Sequence, residues 1–164
     1  MENGDNIAVS VEDLLETYSL MTRERVIKYP EIMKARQRGG RIIQIAKDMK
    51  LSPSSVGYYA NETMSPTVYK MLKSCRWLPL RKSEDLDFIV NYTHDHGHIH
   101  NKLNMAKIWS ADSFELNRLG RKLQKVFKKK FPIRKDRRIY VIYTDSLTAR
   151  ALHLLGVPVG RKMG

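Results

Sequence analysis

SEDLDFIVNYTHDHG, residues 83–97, carries the signals for a helix and for its end. Ser83 stands as an N-cap, and Glu84, Asp85 and Asp87 follow in the first turns, where acids favour the positive end of a helix. Leu86, Ile89 and Val90 supply an apolar face, and Gly97 falls where the helix should stop. The spacing therefore predicts a helix over Glu84–His96. Downstream, HIHNKLNMAKIWS offers two short strands around the turn residues Asn101 to Asn104, and DSFELNRLGRKLQKVFKKKF reads as a long helix capped by Asp112 with Glu115 three residues on. FPIRK and DRRIYVIYT make another strand pair. Asp145 caps a last helix, SLTARALHLLG, closed by Gly156. The predicted order is αββαββα.

Upstream, RGGRIIQIAKDMKLSPSSVGYYANETMSP, residues 38–66, reads as two short helices and a tight turn. Ile42, Ile45, Ala46 and Met49 share one helical face, and Leu51 lies in the turn. Ser52 is an N-cap with Pro53 at the first helical position, and Val56, Tyr59 and Ala60 continue an inward face. These residues resemble the helix-turn-helix of DNA-binding proteins, with Lys50 where many such motifs have glycine. The resemblance implies that the second helix enters the major groove through Ser54, Ser55, Gly57, Tyr58 and Asn61. An ordinary helical hairpin in a small bundle would have the same periodicity. VEDLLETYSLM (residues 11–21) and ERVIKYPEIMKARQRG (residues 24–39) have the apolar spacing to complete a three- or four-helix unit, and residues 64–73 would add another helix. SCRWLPLRKS then reads as a linker. The expected organisation is an acidic segment over 1–20, a helix-turn-helix domain over 21–80 and an α+β domain over 83–164.

The charge distribution narrows the class of partner. The chain has 30 Lys and Arg against 17 Asp and Glu, a formal net charge of +13 over 164 residues. Residues 1–20 carry five acids and no Lys or Arg, whereas residues 21–82 have 14 bases against 4 acids and residues 83–164 have 16 against 8. Two successive basic segments point to a polyanion, because neutralising phosphates releases condensed counterions. Between Asn117 and Arg138, 11 of 22 residues are Lys or Arg, including consecutive Lys128, Lys129 and Lys130. A single cysteine, Cys75, excludes an internal disulfide framework, and no run reaches the roughly 18 apolar residues that span a bilayer. The expectation is a cytoplasmic, nucleoid-associated protein without a membrane partner.

The αββαββα order, with IVNYTHDHG (residues 89–97) at the end of its first helix, resembles the LAGLIDADG homing endonucleases in the archaeal style, with a helix-turn-helix in front. VPVGRK after the last helix resembles the family's usual exit, and PLRKSEDLDF its usual join. The match covers about half the chain. It implies a sheet facing DNA, with His98, His100, Lys102, Lys107, Arg134 and Arg138 on or beside it and Lys128, Lys129 and Lys130 adding a phosphate track. It also implies a homodimer through the helix Glu84–His96, and a metal-binding catalytic carboxylate immediately before Gly97. That position is His96 in this chain, and Asp95 lies one residue earlier. Asp95 and His96 are thus the candidate catalytic and metal residues.

Mg²⁺ selects oxygen ligands, so the histidine weakens the nuclease reading. The small residues that let two such helices touch are replaced by Val90, Asn91 and Asp95. Three functions follow from these residues. The favoured one is sequence-specific binding of double-stranded DNA, regulatory in kind and derived from an endonuclease, requiring no cofactor. The second is a homodimeric nuclease, which alone would need Mg²⁺. The third is an RNA-binding or RNA-processing accessory protein. His94, His98 and His100 are separately compatible with a Zn²⁺ site or with exposed turn histidines.

Overall fold

The computed structural model of the chain describes residues 6–60 and 66–160. The protein is mixed α+β, with eight helices and two antiparallel sheets among the described residues. It divides into two compact units. One is Tyr18–Cys75; the other joins the residues before Tyr18 to those after Cys75. The helical unit is thus an insertion in the chain of the α+β unit.

This division moves the expected boundaries at 20 and 80, and local chemistry explains why. A short strand β1 (Ile7–Val9) is followed by helix α1 (Val11–Glu16). Ser10 caps α1 in a full capping box: its hydroxyl accepts from the Asp13 N–H at 3.1 Å, and its own N–H donates to the Asp13 carboxylate at 2.9 Å. Thr17 closes the helix by donating its hydroxyl to the Leu14 carbonyl at 2.6 Å. Ser19 then caps a new helix, α2 (Leu20–Gln37), so residues 11–21 are split rather than continuous, and α1 does not join the helical unit as expected. Leu14 is fully buried, α1 packs on the last helix of the chain, and Arg150 donates to the Thr17 carbonyl at 2.7 Å.

In the helical unit α2 is joined by α3 (Ile42–Met49), α4 (Pro53–Ala60) and α5 (Thr67–Ser74). Ile32, Ile45, Ala46, Val56, Tyr59 and Ala60 form its buried core, with Tyr29, Met49 and Leu51 packed against it. The inward faces are those read from the spacing. Lys50 turns the chain in the left-handed region at φ 55°, which frees the Leu51 N–H to reach the Ala46 carbonyl at 2.9 Å. Lys28 donates to the Met49 carbonyl at 2.8 Å, satisfying an orphan acceptor at the end of α3.

In the α+β unit, strand β2 (Leu80–Arg81) pairs antiparallel with β1, Ile7 opposite Arg81 and Val9 opposite Leu80. Part of the expected linker is therefore a strand. After it come α6 (Glu84–His96), β3 (Gly97–Ile99), β4 (Ala106–Ser110), α7 (Ser113–Phe127), β5 (Ile133–Asp136), β6 (Ile139–Tyr143) and α8 (Ser146–Leu154). The order αββαββα holds over this region. Ser83, Asp112 and Asp145 accept backbone N–H groups at the three helix starts, as expected of caps.

The four strands form one antiparallel sheet in the order β3-β4-β6-β5. Leu116, Leu119, Leu123 and Phe127 line the buried side of α7, and a side chain on Gly120 would touch Ile142 and Ile133. Ile99, Ala106, Ile108 and Ile142 are fully buried on the same side of the sheet. Asp85 ties α6 to α7, bonded at 2.8 Å by both Lys122 and Lys125. The Lys122 hydrogen bond, and then that of Lys125, holds the Asp85 carboxyl down at about 2. Beyond α8 the chain runs back along β3: Ile99 donates to the Pro158 carbonyl at 3.1 Å, and Gly160 to that of Ile99 at 2.7 Å.

If the residues before Tyr18 belong to the α+β unit, Leu14→Ala should destabilise that unit by about 2–5 kcal/mol through the cavity it leaves. Urea unfolding followed by Trp109 and Trp77 emission, both in this unit, reads the shift. A change under about 0.5 kcal/mol, the size of a surface substitution, would contradict the packing of α1.

Candidate nucleic-acid interface

Strand alternation divides the sheet into two faces. One parity, with Ala106, Ile108 and Ile142, is buried beneath the helices. The other parity forms cross-strand rows: His98 opposite Lys107 and Lys107 opposite Tyr143, then Trp109 opposite Val141 and Val141 opposite Arg134. Directly opposed residues in an antiparallel pair share a face, so Lys107, Trp109, Tyr143 and Arg134 lie on the same side as His98. A trough of about 650 Å³ opens here, lined by His98, His100, Met105, Lys107, Trp109 and Tyr143 among others. The His98 and Trp109 rings are 5.6 Å apart at 59°.

Of the residues predicted for this face, His98, His100 and Lys107 converge in the trough, and Arg134 extends it across β6. His100 is positioned by its backbone N–H, which donates to Met105 at 2.9 Å, while its Nδ1 accepts from the Lys102 N–H at 3.3 Å. Lys102 is exposed in the turn between β3 and β4, and Arg138 is exposed in the two-residue turn between β5 and β6. The trough's Met105, Trp109, Ile139 and Tyr143 were not singled out from the sequence. Alternation in AKIWS and IYVIY carries that signal, but only once the strand register is known.

The lysine run departs from expectation. Lys128 is the left-handed C-cap of α7, and Lys129 donates to Asp145 at 3.1 Å, at the start of α8. Lys128 and Lys129 therefore belong to the helix layer rather than to the sheet's open face, with Lys130 exposed next to them. A helix C-terminus attracts cations, and Asp145 engages one of the three.

In the helical unit, Ser54 and Tyr58 are exposed on α4, one turn apart, and Tyr58 is 56% accessible. Ser55 and Gly57 are half-buried. Ser55 takes part in the cap, with its hydroxyl 2.8 Å from that of Ser52 and its N–H donating to the same oxygen. Asn61 lies outside the described residues.

Neither a protein-family model nor a curated protein matches this chain.

The end of α6 was the predicted metal and catalytic position. His94, Asp95 and His96 are all exposed there. The Asp95 carboxylate lies 3.5 Å from His94 Nδ1, and the His96 ring packs against Tyr92 with centroids 4.7 Å apart. One carboxylate beside two imidazoles does not fit the oxygen-rich shell that Mg²⁺ demands. Among the described residues, no three His, Cys, Asp or Glu side chains converge to hold a metal ion, so His94, His98 and His100 are not gathered into a zinc site. The exposed face of α6 carries Glu84, Asp87, Asn91, His94 and Asp95, a polar stripe where a helix-pairing seam would need small or apolar residues.

Gly97 explains how α6 delivers the sheet residues. The helix passes directly into β3, with Gly97 at φ −158°, extended backbone rather than the left-handed stop expected of a C-terminal glycine. A Cβ there would lie 2.7 Å from the Lys107 carbonyl oxygen and 3.0 Å from that of Thr93. Both obstacles are backbone, so Gly97→Ala should cost about 1–3 kcal/mol through forced shifts. A thermal melt unchanged from the parent would contradict this close approach.

Proposed function

We propose that the protein binds double-stranded DNA sequence-specifically, in a regulatory role, through a helix-turn-helix-like unit and a LAGLIDADG-like αββαββα unit. The reading rests most on one observation: Lys107, Trp109, Tyr143 and Arg134 share with His98 and His100 the face of the sheet that α6, α7 and α8 do not cover. On that face cations alternate with flat rings. Lys107 and Arg134 would neutralise phosphates, while Trp109 and Tyr143 would supply apolar contact with base edges. The β5–β6 ribbon is two strands wide and ends in Arg137 and Arg138, and a major groove of about 12 Å admits a two-stranded ribbon. In the helical unit, the exposed Ser54 and Tyr58 of α4 would read base edges.

Among the described strand residues Asp136, opposite Ile139, is the one acid on this face, against Lys107 and Arg134 on the strands and Arg137 and Arg138 in the adjoining turn, and this basic balance supports a polyanion as partner. The donor set at Asp95 and His96 does not suit Mg²⁺, so cleavage is no part of the reading, and binding as proposed needs no cofactor. The polar stripe on α6 gives little support to a homodimer through that helix. Binding DNA in this way suits a cytoplasmic, nucleoid-associated protein, and no helix among the described residues is long and apolar enough to cross a membrane.

The test is a salt titration of duplex binding. The natural chain should lose affinity steeply with salt, and Lys107→Ala with Arg134→Ala should reduce the slope of log affinity against log salt by about 2, one unit per lost phosphate contact. The loss should be similar for all sequences. Tyr58→Ala should instead narrow the preference for a selected target over random duplex by about 1–3 kcal/mol. An unchanged slope, or structured RNA competing better than duplex at matched salt, would contradict the proposal.

A further inference from the structure

The sheet face does not account for the basic charge on the helix layer. A cleft of about 460 Å³ lies between the chain around β2 and the C-terminal half of α7, lined by Arg76, Arg81, Lys82, Lys125 and Lys128, with Asp85 the acid among them. Asp85 is already engaged, bonded by Lys122 as well as Lys125. Glu84 and Asp87, the other acids of the first turn of α6, are exposed but outside the lining.

Backbone pairing holds the cleft in shape. Trp77 is buried edge-on against Phe127, with centroids 5.0 Å apart at 86°. The β1–β2 pairing fixes residues 80 and 81, and the Lys82 N–H donates to the Asn6 carbonyl at 2.9 Å. The backbone positions that carry these cations are therefore set before a ligand arrives, which leaves the ordering of their side chains as the conformational cost of binding.

The cleft continues along α7. Arg118, Arg121, Lys125 and Lys128 are exposed and spaced by three and four residues, so they form one stripe on its outer side. Ten residues of helix extend about 15 Å, a length over which a duplex presents roughly nine phosphate charges. This stripe points away from the sheet, because Leu116, Leu119, Leu123 and Phe127 occupy the inner side of α7. A duplex lying on the open sheet face cannot also fill it.

We propose that this cleft and stripe form a second phosphodiester-backbone site, so that one molecule holds two duplex segments on opposite sides of its sheet. The inference rests on the sheet-face reading above. A membrane surface fits less well, since Phe114 is the one large exposed hydrophobic residue on α7 among those described, and an interfacial helix needs an apolar stripe. An acidic protein would want a buried aromatic anchor at the centre of the patch, and Trp77 is already spent inside the fold.

Capture in trans tests this on the intact chain. Duplex is immobilised on beads, protein is bound, and a fluorescent free duplex of unrelated sequence is added. The natural chain should capture the free duplex. Lys125→Gln with Lys128→Gln should reduce capture about tenfold through two lost phosphate contacts while leaving attachment to the bead largely intact. Lys122 keeps Asp85 partnered in that variant, so the fold is preserved. Arg76→Gln with Lys82→Gln, on the other wall, should act in the same direction. Capture unchanged in both variants, no capture by a natural chain that does bind the bead, or polyglutamate outcompeting free duplex would overturn the inference alone. Failure of the natural chain to bind the immobilised duplex would overturn the sheet-face reading as well.

Discussion

Where α6 becomes β3, the backbone of Thr93 and the backbone of Lys107 close on residue 97 from two sides, and only a hydrogen atom fits between them. Much of the α+β unit follows from that contact. It sets the register of β3 against β4, Gly97 opposite Ile108 and His98 opposite Lys107. A slip of one residue would turn His98 and His100 inward and expose Ile99. Because β4 also pairs with β6, and β6 with β5, the same register aligns Trp109, Tyr143 and Arg134 on one side and Ile108, Ile142 and Ile133 on the other. The glycine ending the first helix thus has a packing role, separate from any chemistry at the residue before it.

The second organising feature is the return of the chain to its own beginning. After the helical unit, β2 pairs with β1, and α1 packs against α8, with Arg150 reaching the Thr17 carbonyl. The chain segments on either side of residues 18–75 are therefore both packed within the α+β unit. The same region positions Arg76, Arg81 and Lys82 against α7, so the chain reversal that defines the architecture also builds the helix-layer cleft.

The amino-acid sequence made the second half of the fold legible because its signals are local. Ser83, Asp112 and Asp145 are caps, four apolar residues of α7 recur on one side, and each strand pair is adjacent in sequence. The helix faces around Ala46 and Val56 were legible for the same reason. The origin of the insertion was not: β1 has three residues and β2 two, too few for periodicity, and more than 60 residues separate them. The apolar spacing around Leu14 was legible, but nothing local showed that this helix packs on α8 rather than in the helical unit. On the sheet, His98, His100, Lys107 and Arg134 could be nominated by charge and alternation, whereas Trp109 and Tyr143 needed the cross-strand register. Lys128 and Lys129 looked like part of the same track because they are near β5 in sequence. The helix that ends at Phe127 carries them to the other layer.

The two tryptophans allow a direct test of the open sheet face as the DNA surface. Trp77 is buried in the helix layer, and Trp109 lines the trough. In a Trp77→Phe background, emission reports on Trp109 alone, and its quenching by acrylamide reports its exposure. Titration with duplex DNA should shift that emission and protect Trp109 from acrylamide, with both changes saturating together with binding measured by anisotropy. Full binding that leaves the emission and acrylamide quenching of Trp109 as they are in the free protein would contradict the account.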